Sequence, residues 1–248
     1  MTPLRLTDLA SDGGALLRRF GVMAYLEFLA IGIGTSTLHV LIAPGDFRAG
    51  IAAGGGSVLA VLTDPFIVIH EALFALVFGA ACLRIWWQTE GGAPEPGARA
   101  RFLAAQALPL VVLNMLAGYA AYMGVLLLLL PGLVISALTT TLVPAVVLEQ
   151  RGWNGLARSF EMTRRHLWPL TAAWAAIILP WLVLSVWAAP GADVARADIG
   201  TLWLAGLVPD AFAAGLSTVS LCLVMATYRR LIADESGGLH DRLDDIIR

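Results

Sequence analysis

Three ionisable side chains stand inside segments that are otherwise apolar: His39 in one segment, and His70 with Glu71 in the next. Ionisable residues are costly inside a bilayer and usually serve a function there. At about 1.5 Å per residue, Glu71 lies roughly 9 Å below the outer end of its predicted helix. The three side chains are therefore predicted to share a cavity in the outer half of a helical bundle. They would bind a polar headgroup or exchange protons there; the alternative is that they satisfy one another and only fix helix packing.

Two further charges occupy matching depths in the same two segments. Glu27 and Arg84 each lie a similar distance from the predicted cytoplasmic ends of their helices, so we predict a structural ion pair inside the bundle. Asp210 has a different interpretation. If its helix begins at Pro209, Asp210 is a first-turn acid favoured by the helix dipole, and no function follows from it.

Catalytic motifs are mostly incomplete. His70-Glu71 matches the start of a zinc-binding His-Glu-x-x-His helix, but the second histidine is missing. All 16 basic residues are arginine, which excludes a Walker A phosphate loop and a lysine Schiff base. Cys82 and Cys222 lie in apolar runs and are predicted to be packing residues. The sequence predicts no metal and no cofactor, and an embedded enzyme is the least favoured function class.

The segments that would position these residues have the composition of membrane helices. The chain is 58% apolar and 14% charged, whereas a soluble domain is about 25% charged. The 47 residues from Phe102 to Leu148 contain no Asp, Glu, Lys or Arg, and one spanning helix needs about 20 residues. We predict an all-α polytopic bundle in one domain, 1–230, followed by a short polar tail, 231–248. The domain has about six transmembrane helices, at about 20–43, 65–87, 102–124, 126–148, 168–188 and 205–228.

Three local features modify this outline. Leucines within residues 1–19 predict a short helix on the membrane surface. Pro131-Gly132 is predicted to bend or interrupt the fourth span. The sixth span begins either near residue 203 or at Pro209.

The arginines predict the orientation of the bundle. With both termini in the cytoplasm, the outer side holds only Arg48 and Arg196, and the other fourteen arginines are cytoplasmic. This positive-inside bias predicts a multi-pass protein with an even number of spans and with both termini in the cytoplasm.

The segment 149–167 predicts an amphipathic helix at the cytoplasmic interface. One face carries apolar residues, among them Trp153 and Phe160. The other is basic, with Arg151, Arg158, Arg164 and Arg165. Cationic side chains at that level suit anionic headgroups. The favoured alternative is a structural linker that orients the fifth span.

The same region carries a recognisable pattern. It consists of Pro131-Gly132, Pro144, Glu149 at the end of Val-Val-Leu-Glu, Gly152, Leu156-Ala157-Arg158-Ser159-Phe160, Thr163 and Trp168. Over about 125–170 the chain resembles the membrane domain of bacterial glycerophosphoryl diester phosphodiesterases and related stand-alone inner-membrane proteins. The resemblance implies a six-helix bundle in a bacterial inner membrane. It does not imply phosphodiesterase activity, because the family's catalytic machinery sits in a separate soluble domain, for which the 18 residues after Arg230 leave no room. For Glu149 a structural role is expected.

The favoured function is therefore to bind or move a lipid or another amphiphile. The alternative is a structural or assembly subunit of a membrane complex without its own ligand. Expected partners are membrane lipids and either a membrane-protein partner or a second copy of the chain. Nucleic acid is not expected, because no basic stripe with interleaved aromatic residues is present.

Overall fold

The computed structural model describes residues 4–43, 65–90, 97–187 and 198–247. Within these ranges the protein is helical and contains no strand. Single 3₁₀ turns, Gly152–Asn154 and Arg164–His166, flank the sixth helix. The α-helices are α1 (Leu6–Ile42), α2 (Pro65–Glu90), α3 (Ala98–Leu128), α4 (Leu130–Leu138), α5 (Leu142–Val147), α6 (Gly155–Thr163), α7 (Leu167–Trp187) and α8 (Ile199–Ile247).

Five helical segments of the described chain are long and apolar enough to cross a membrane. They are Leu6–Ile42, Pro65–Glu90, Leu103–Leu128, Leu130–Val147 and Gly206–Glu235. The protein is thus an all-α, multi-pass membrane bundle, as predicted from its composition. The predicted fifth span, 168–188, coincides with the 21-residue helix α7, which is not among the five. A crossing by α7 stays a prediction.

Helices α1, α2 and α8 form the centre of the bundle. Small residues lie where these helices meet: Ala24, Ala81 and Ala226 are each at most 2% exposed. Small side chains at helix interfaces let backbones approach closely inside a membrane, where packing replaces the hydrophobic effect between helices. Cys82 and Cys222 are buried in the same core and are not joined in a disulfide.

Two helices are longer than the sequence predicted. Helix α1 begins at Leu6, so the predicted surface helix and the first span, 20–43, are one continuous helix of 37 residues. Helix α8 has 49 residues, and the segment predicted as a tail, 231–248, is helical as far as Ile247. At about 1.5 Å per residue, both helices exceed the roughly 30 Å hydrocarbon thickness of a bilayer.

The fourth predicted span, 126–148, is divided differently from the prediction. Helix α3 continues to Leu128 and α4 begins at Leu130, so Pro131 lies in the first turn of α4, where proline is well tolerated. The predicted interruption at Pro131-Gly132 is therefore misplaced. The helix is interrupted between α4 and α5, at 139–141. Gly132 packs tightly on Gly124, because a Cβ on Gly124 would lie 2.6 Å from the Gly132 nitrogen.

Contacts between neighbouring helices identify one end of the bundle. Arg230 of α8 contacts Asp8 of α1, and Arg19 of α1 contacts the Gln88 carbonyl of α2. We call this the arginine-rich end; its described arginines include Arg18, Arg19, Arg101, Arg151, Arg158, Arg164, Arg165, Arg229 and Arg230. Arg48, Arg196 and the glycine-rich stretch 50–57 lie outside the described residues, so the predicted orientation stays a prediction.

Candidate functional site

Four helices bring polar side chains together in the half of the bundle away from the arginine-rich end. The group, here called the polar cluster, lies within segments long and apolar enough to span a membrane. Its members are Thr35 and Ser36 of α1, His70 and Glu71 of α2, Tyr119 of α3 and Asp210 of α8. The sequence singled out His70 and Glu71 for this location; the other four residues were not predicted as part of it.

His70 is held by Thr35 across the α1–α2 interface. Thr35 Oγ1 lies 2.8 Å from Nδ1 of His70 and 2.8 Å from the Ile31 carbonyl oxygen. The single hydroxyl hydrogen goes to this carbonyl of the preceding turn, a common arrangement for threonine in helices. The Thr35 oxygen then accepts from the Nδ1–H of His70. In the neutral imidazole this leaves Nε2 as a hydrogen-bond acceptor.

Asp210 joins the cluster from α8, and the structure excludes the alternative in which α8 begins at Pro209 and Asp210 is a first-turn acid. Because α8 begins at Ile199, Asp210 lies well inside the helix. A Cβ on Gly32 of α1 would lie 3.2 Å from the Asp210 Cβ, so the glycine gives the carboxyl room against α1. Asp210 hydrogen-bonds Ser36 and lies close enough to His70 for their charges to interact. Its Oδ2 is buried and has no hydrogen-bond partner among the described residues.

Glu71 connects the cluster to α3. Its charge interacts with His70 on one side and with the phenol of Tyr119 on the other. The Tyr119 hydroxyl is buried without a partner in the described part of the chain. A buried polar atom that lacks a partner costs free energy, and in native structures it calls for a water, an ion or a ligand.

His39 lies one helical turn beyond the cluster, nearer the end of α1. Its ring stacks on Phe66 of α2, with centroids 4.5 Å apart and planes 8° apart. Nearby, Trp203 Nε1 of α8 donates to the Thr37 hydroxyl at 2.8 Å. The structure thus joins α1, α2 and α8 at this end, and it places His39 beside the polar cluster.

An aromatic layer lies below the polar cluster. The rings of Phe28, Phe74 and Phe78 pack with centroids 5.1–5.9 Å apart. Phe74 also lies under His70, with ring centroids 6.5 Å apart. This layer separates the cluster from the second charged group inside the bundle.

That second group is the ion pair between Arg84 and Glu27. Arg84 Nη1 donates to Glu27 Oε1, so the two charges predicted to pair from their depths do meet in the structure. The Arg84 side chain is 7% exposed and the Glu27 side chain 30%. Because each buried charge has a counterion, the bundle tolerates both of them.

The arginine-rich end contains a denser set of ion pairs. Glu149 accepts from Arg158 Nε at 2.9 Å and from Arg151 Nε at 3.2 Å, while Tyr228 donates to it at 3.3 Å. Arg158 binds Glu235 through both Nη atoms, at 3.0 and 2.6 Å. The hydrogen bonds to Glu235 and Glu149 raise the pKa of Arg158 above its ordinary value. Glu149 therefore connects the start of the α5–α6 loop to α8.

These contacts correct part of the prediction for the basic interfacial helix. Arg158 is committed to carboxylates of the protein and is not presented to headgroups, whereas Arg151 and Arg164 are exposed. Trp153 is 56% and Phe160 40% exposed, so the predicted apolar face points away from the bundle. The face of α6 that packs inward carries Met162 and three small or polar residues, Gly155, Ser159 and Thr163.

Two residues of the recognised pattern, Ser159 and Thr163, make structural contacts with the end of α4. Ser159 is fully buried and donates to the Leu138 carbonyl at 2.8 Å, while Thr163 donates to the same oxygen at 3.0 Å. Gly155 lies so close to Val146 that any larger side chain would collide with it. These bonds satisfy the backbone where α4 ends, which any break inside a membrane protein requires.

A cleft of about 500 Å³ also opens at the arginine-rich end, between α1, α2 and α8. Its charged lining is paired internally: Arg229 with Glu90 at 3.2 Å and Arg230 with Asp12 at 2.5 Å. Both arginines that line the cleft are therefore already paired with carboxylates of the protein.

No group of three His, Cys, Asp or Glu side chains within the described ranges is placed to hold a metal ion. No protein-family model, curated protein or solved structure matches the chain. The similarity of 125–170 to the phosphodiesterase membrane domain accordingly stays an expectation. The polar cluster must be interpreted from its own geometry.

Proposed function

We propose that this integral membrane protein binds or moves a lipid or another amphiphile whose polar head enters the polar cluster. The observation that carries the proposal is the pair of buried, unpartnered atoms, Asp210 Oδ2 and the Tyr119 hydroxyl, beside Glu71 and His70. Polar groups that are left open inside a membrane bundle favour a ligand with a polar head over a purely structural core.

The surroundings support an amphiphile rather than a small solute. Phe74 lies beside His70 of the cluster, and apolar side chains of the same helices are exposed, for example Leu38, Leu41 and Val208. A ligand with a polar head and an alkyl tail can place the head in the cluster and leave the tail among these side chains. A free polar solute would gain nothing from that surface.

The test is native mass spectrometry of the protein purified in a mild detergent, with identification of the retained lipids. The variants are Glu71→Gln, which keeps the size of the side chain and removes its charge, and Glu161→Gln, the same change at an exposed acid of the arginine-rich end. We expect a selected lipid on the wild type and on Glu161→Gln, reduced at least about tenfold in Glu71→Gln.

Two outcomes contradict the proposal. Equal retention in all three proteins places the lipid elsewhere, and no selective lipid in any of them favours the structural or assembly subunit. In the second case, a membrane protein that co-purifies reproducibly would identify the complex.

A further inference from the structure

The two acids of the polar cluster differ from the acids at the other end of the bundle in their counterions. Each of six described acids at the arginine-rich end lies within ion-pair distance of an arginine: Asp8, Asp12, Glu90, Glu149, Glu161 and Glu235. Glu27 has Arg84. Glu71 and Asp210 have no arginine among the residues that the structure describes. The ionisable side chain near both of them is His70.

One imidazole does not balance two carboxylates. His70 in its neutral form supplies no positive charge, and in its protonated form it supplies one against two. The contacts of Ser36 with Asp210 and of Thr35 with His70 are hydrogen bonds without charge. With both acids ionised, the polar cluster is therefore short of positive charge, in a location where an unbalanced charge is expensive.

From this imbalance we infer that the polar head held by the cluster is cationic, an amine or a quaternary ammonium group. The inference rests on the proposed function and names the chemical class of its ligand. An ammonium head supplies the missing charge to Glu71 and Asp210. When it carries N–H groups, it also donates to the unpartnered Asp210 Oδ2.

The aromatic groups around the cluster suit the same head. Phe74 lies beside His70, and the Tyr119 phenol is close enough to Glu71 for the two groups to interact electrostatically. Aromatic faces attract ammonium groups, and combinations of aromatic rings with a carboxylate are a known way to hold quaternary ammonium. A bare metal cation fits less well, because three suitable ligating side chains are not gathered anywhere in the described chain.

The experiment uses three probes with the purified full-length protein in dodecyl maltoside: dodecyltrimethylammonium, dodecyl phosphate and tetramethylammonium. Bound adducts are counted by native mass spectrometry for the wild type, Glu71→Gln, Asp210→Asn and the control Glu161→Gln. Apparent melting temperatures confirm that each variant is folded, and the two cluster variants serve as independent tests if one of them fails to fold.

We expect the wild type and Glu161→Gln to prefer dodecyltrimethylammonium over dodecyl phosphate by at least about tenfold. Both cluster variants should lose most of this preference. Tetramethylammonium should bind weakly because it lacks a tail; if it binds as well as the long-chain cation, the site takes a free ammonium ion and the proposed function fails while the cationic class stands.

Other results overturn the inference itself. A preference for dodecyl phosphate, or no preference between the two long-chain probes, refutes a cationic head; if retention is still lost in the cluster variants, the lipid-binding proposal survives. If all variants retain the cation as the wild type does, both the inference and the proposed location of the site are wrong.

Discussion

The arginine-rich end and the polar cluster differ in whether their carboxylates are balanced by positive charge. At the first, Arg158 lies between Glu149 and Glu235, and Arg230 lies between Asp8 and Asp12. In the second, Glu71 and Asp210 share one imidazole. Balanced charges stabilise a bundle, whereas unbalanced ones are costly and are kept where a ligand completes them. The proposed function accounts for this contrast: one end maintains the fold, and the other half is where a ligand would bind.

The deepest ion pair gives the largest expected effect. Arg84→Met removes the positive charge and leaves Glu27 unpaired inside the bundle, so it should lower the free energy of unfolding by about 3 kcal/mol. The double variant Glu27→Gln/Arg84→Met should recover most of the loss, because neither charge then remains. The measurement is the apparent melting temperature in detergent, and a double variant no more stable than Arg84→Met would refute a pairwise ion pair.

A smaller loss is expected at the arginine-rich end. Arg158→Ala removes a side chain that is 16% exposed and bound to two carboxylates, and it should cost about 2 kcal/mol. Arg151, at 54% exposure, contacts the same Glu149, and Arg151→Ala should cost well under about 1 kcal/mol. For a chain of this size, each kcal/mol shifts the melting temperature by about 2–4 °C. Equal shifts for the two variants would contradict the role assigned to Arg158.

The smallest predicted effect concerns pH at the same end. Burial lowers the pKa of His166 below its ordinary value of 6.5. The folded state then binds fewer protons than the unfolded state between the lowered pKa and 6.5, so stability should be complete above 6.5 and fall as the pH drops through that window. Melting temperatures of His166→Asn and the wild type at pH 7.5 and 5 test this. The variant should lose less stability on acidification; identical losses would exclude His166.

Much of the architecture follows from the sequence because its cause is local. An uncharged run such as Phe102–Leu148 has no polar stripe for water, so a membrane helix is the remaining solution. The depths of Glu27 and Arg84 follow from the rise of a helix, and the structure places the two in contact. These arguments need only the composition of a segment and its length.

The polar cluster could not be predicted from the sequence alone, because its composition depends on which helices pack together. Pro209 suits the first turn of a helix, which would make Asp210 a first-turn acid, yet proline is also tolerated inside membrane helices, and α8 begins at Ile199. Tyr119 lies in an apolar run and Ser36 lies between Thr35 and Thr37, and the directions of their side chains depend on which helices meet. Glu235 was assigned to a polar tail, so its bond with Arg158 could not be foreseen. One signal was present: Gly32 marks a close approach on α1, and Asp210 fills it.

The most direct test of this contrast measures both the melting temperature and the retained lipid of the variant Asp210→Asn. If the polar cluster is kept for binding, removing an uncompensated carboxylate should leave the melting temperature unchanged or raise it, while the selected lipid seen on the wild type by native mass spectrometry is lost. A variant that melts much lower and keeps its lipid would show that Asp210 serves the fold, and the account given for the two halves of the bundle would be wrong.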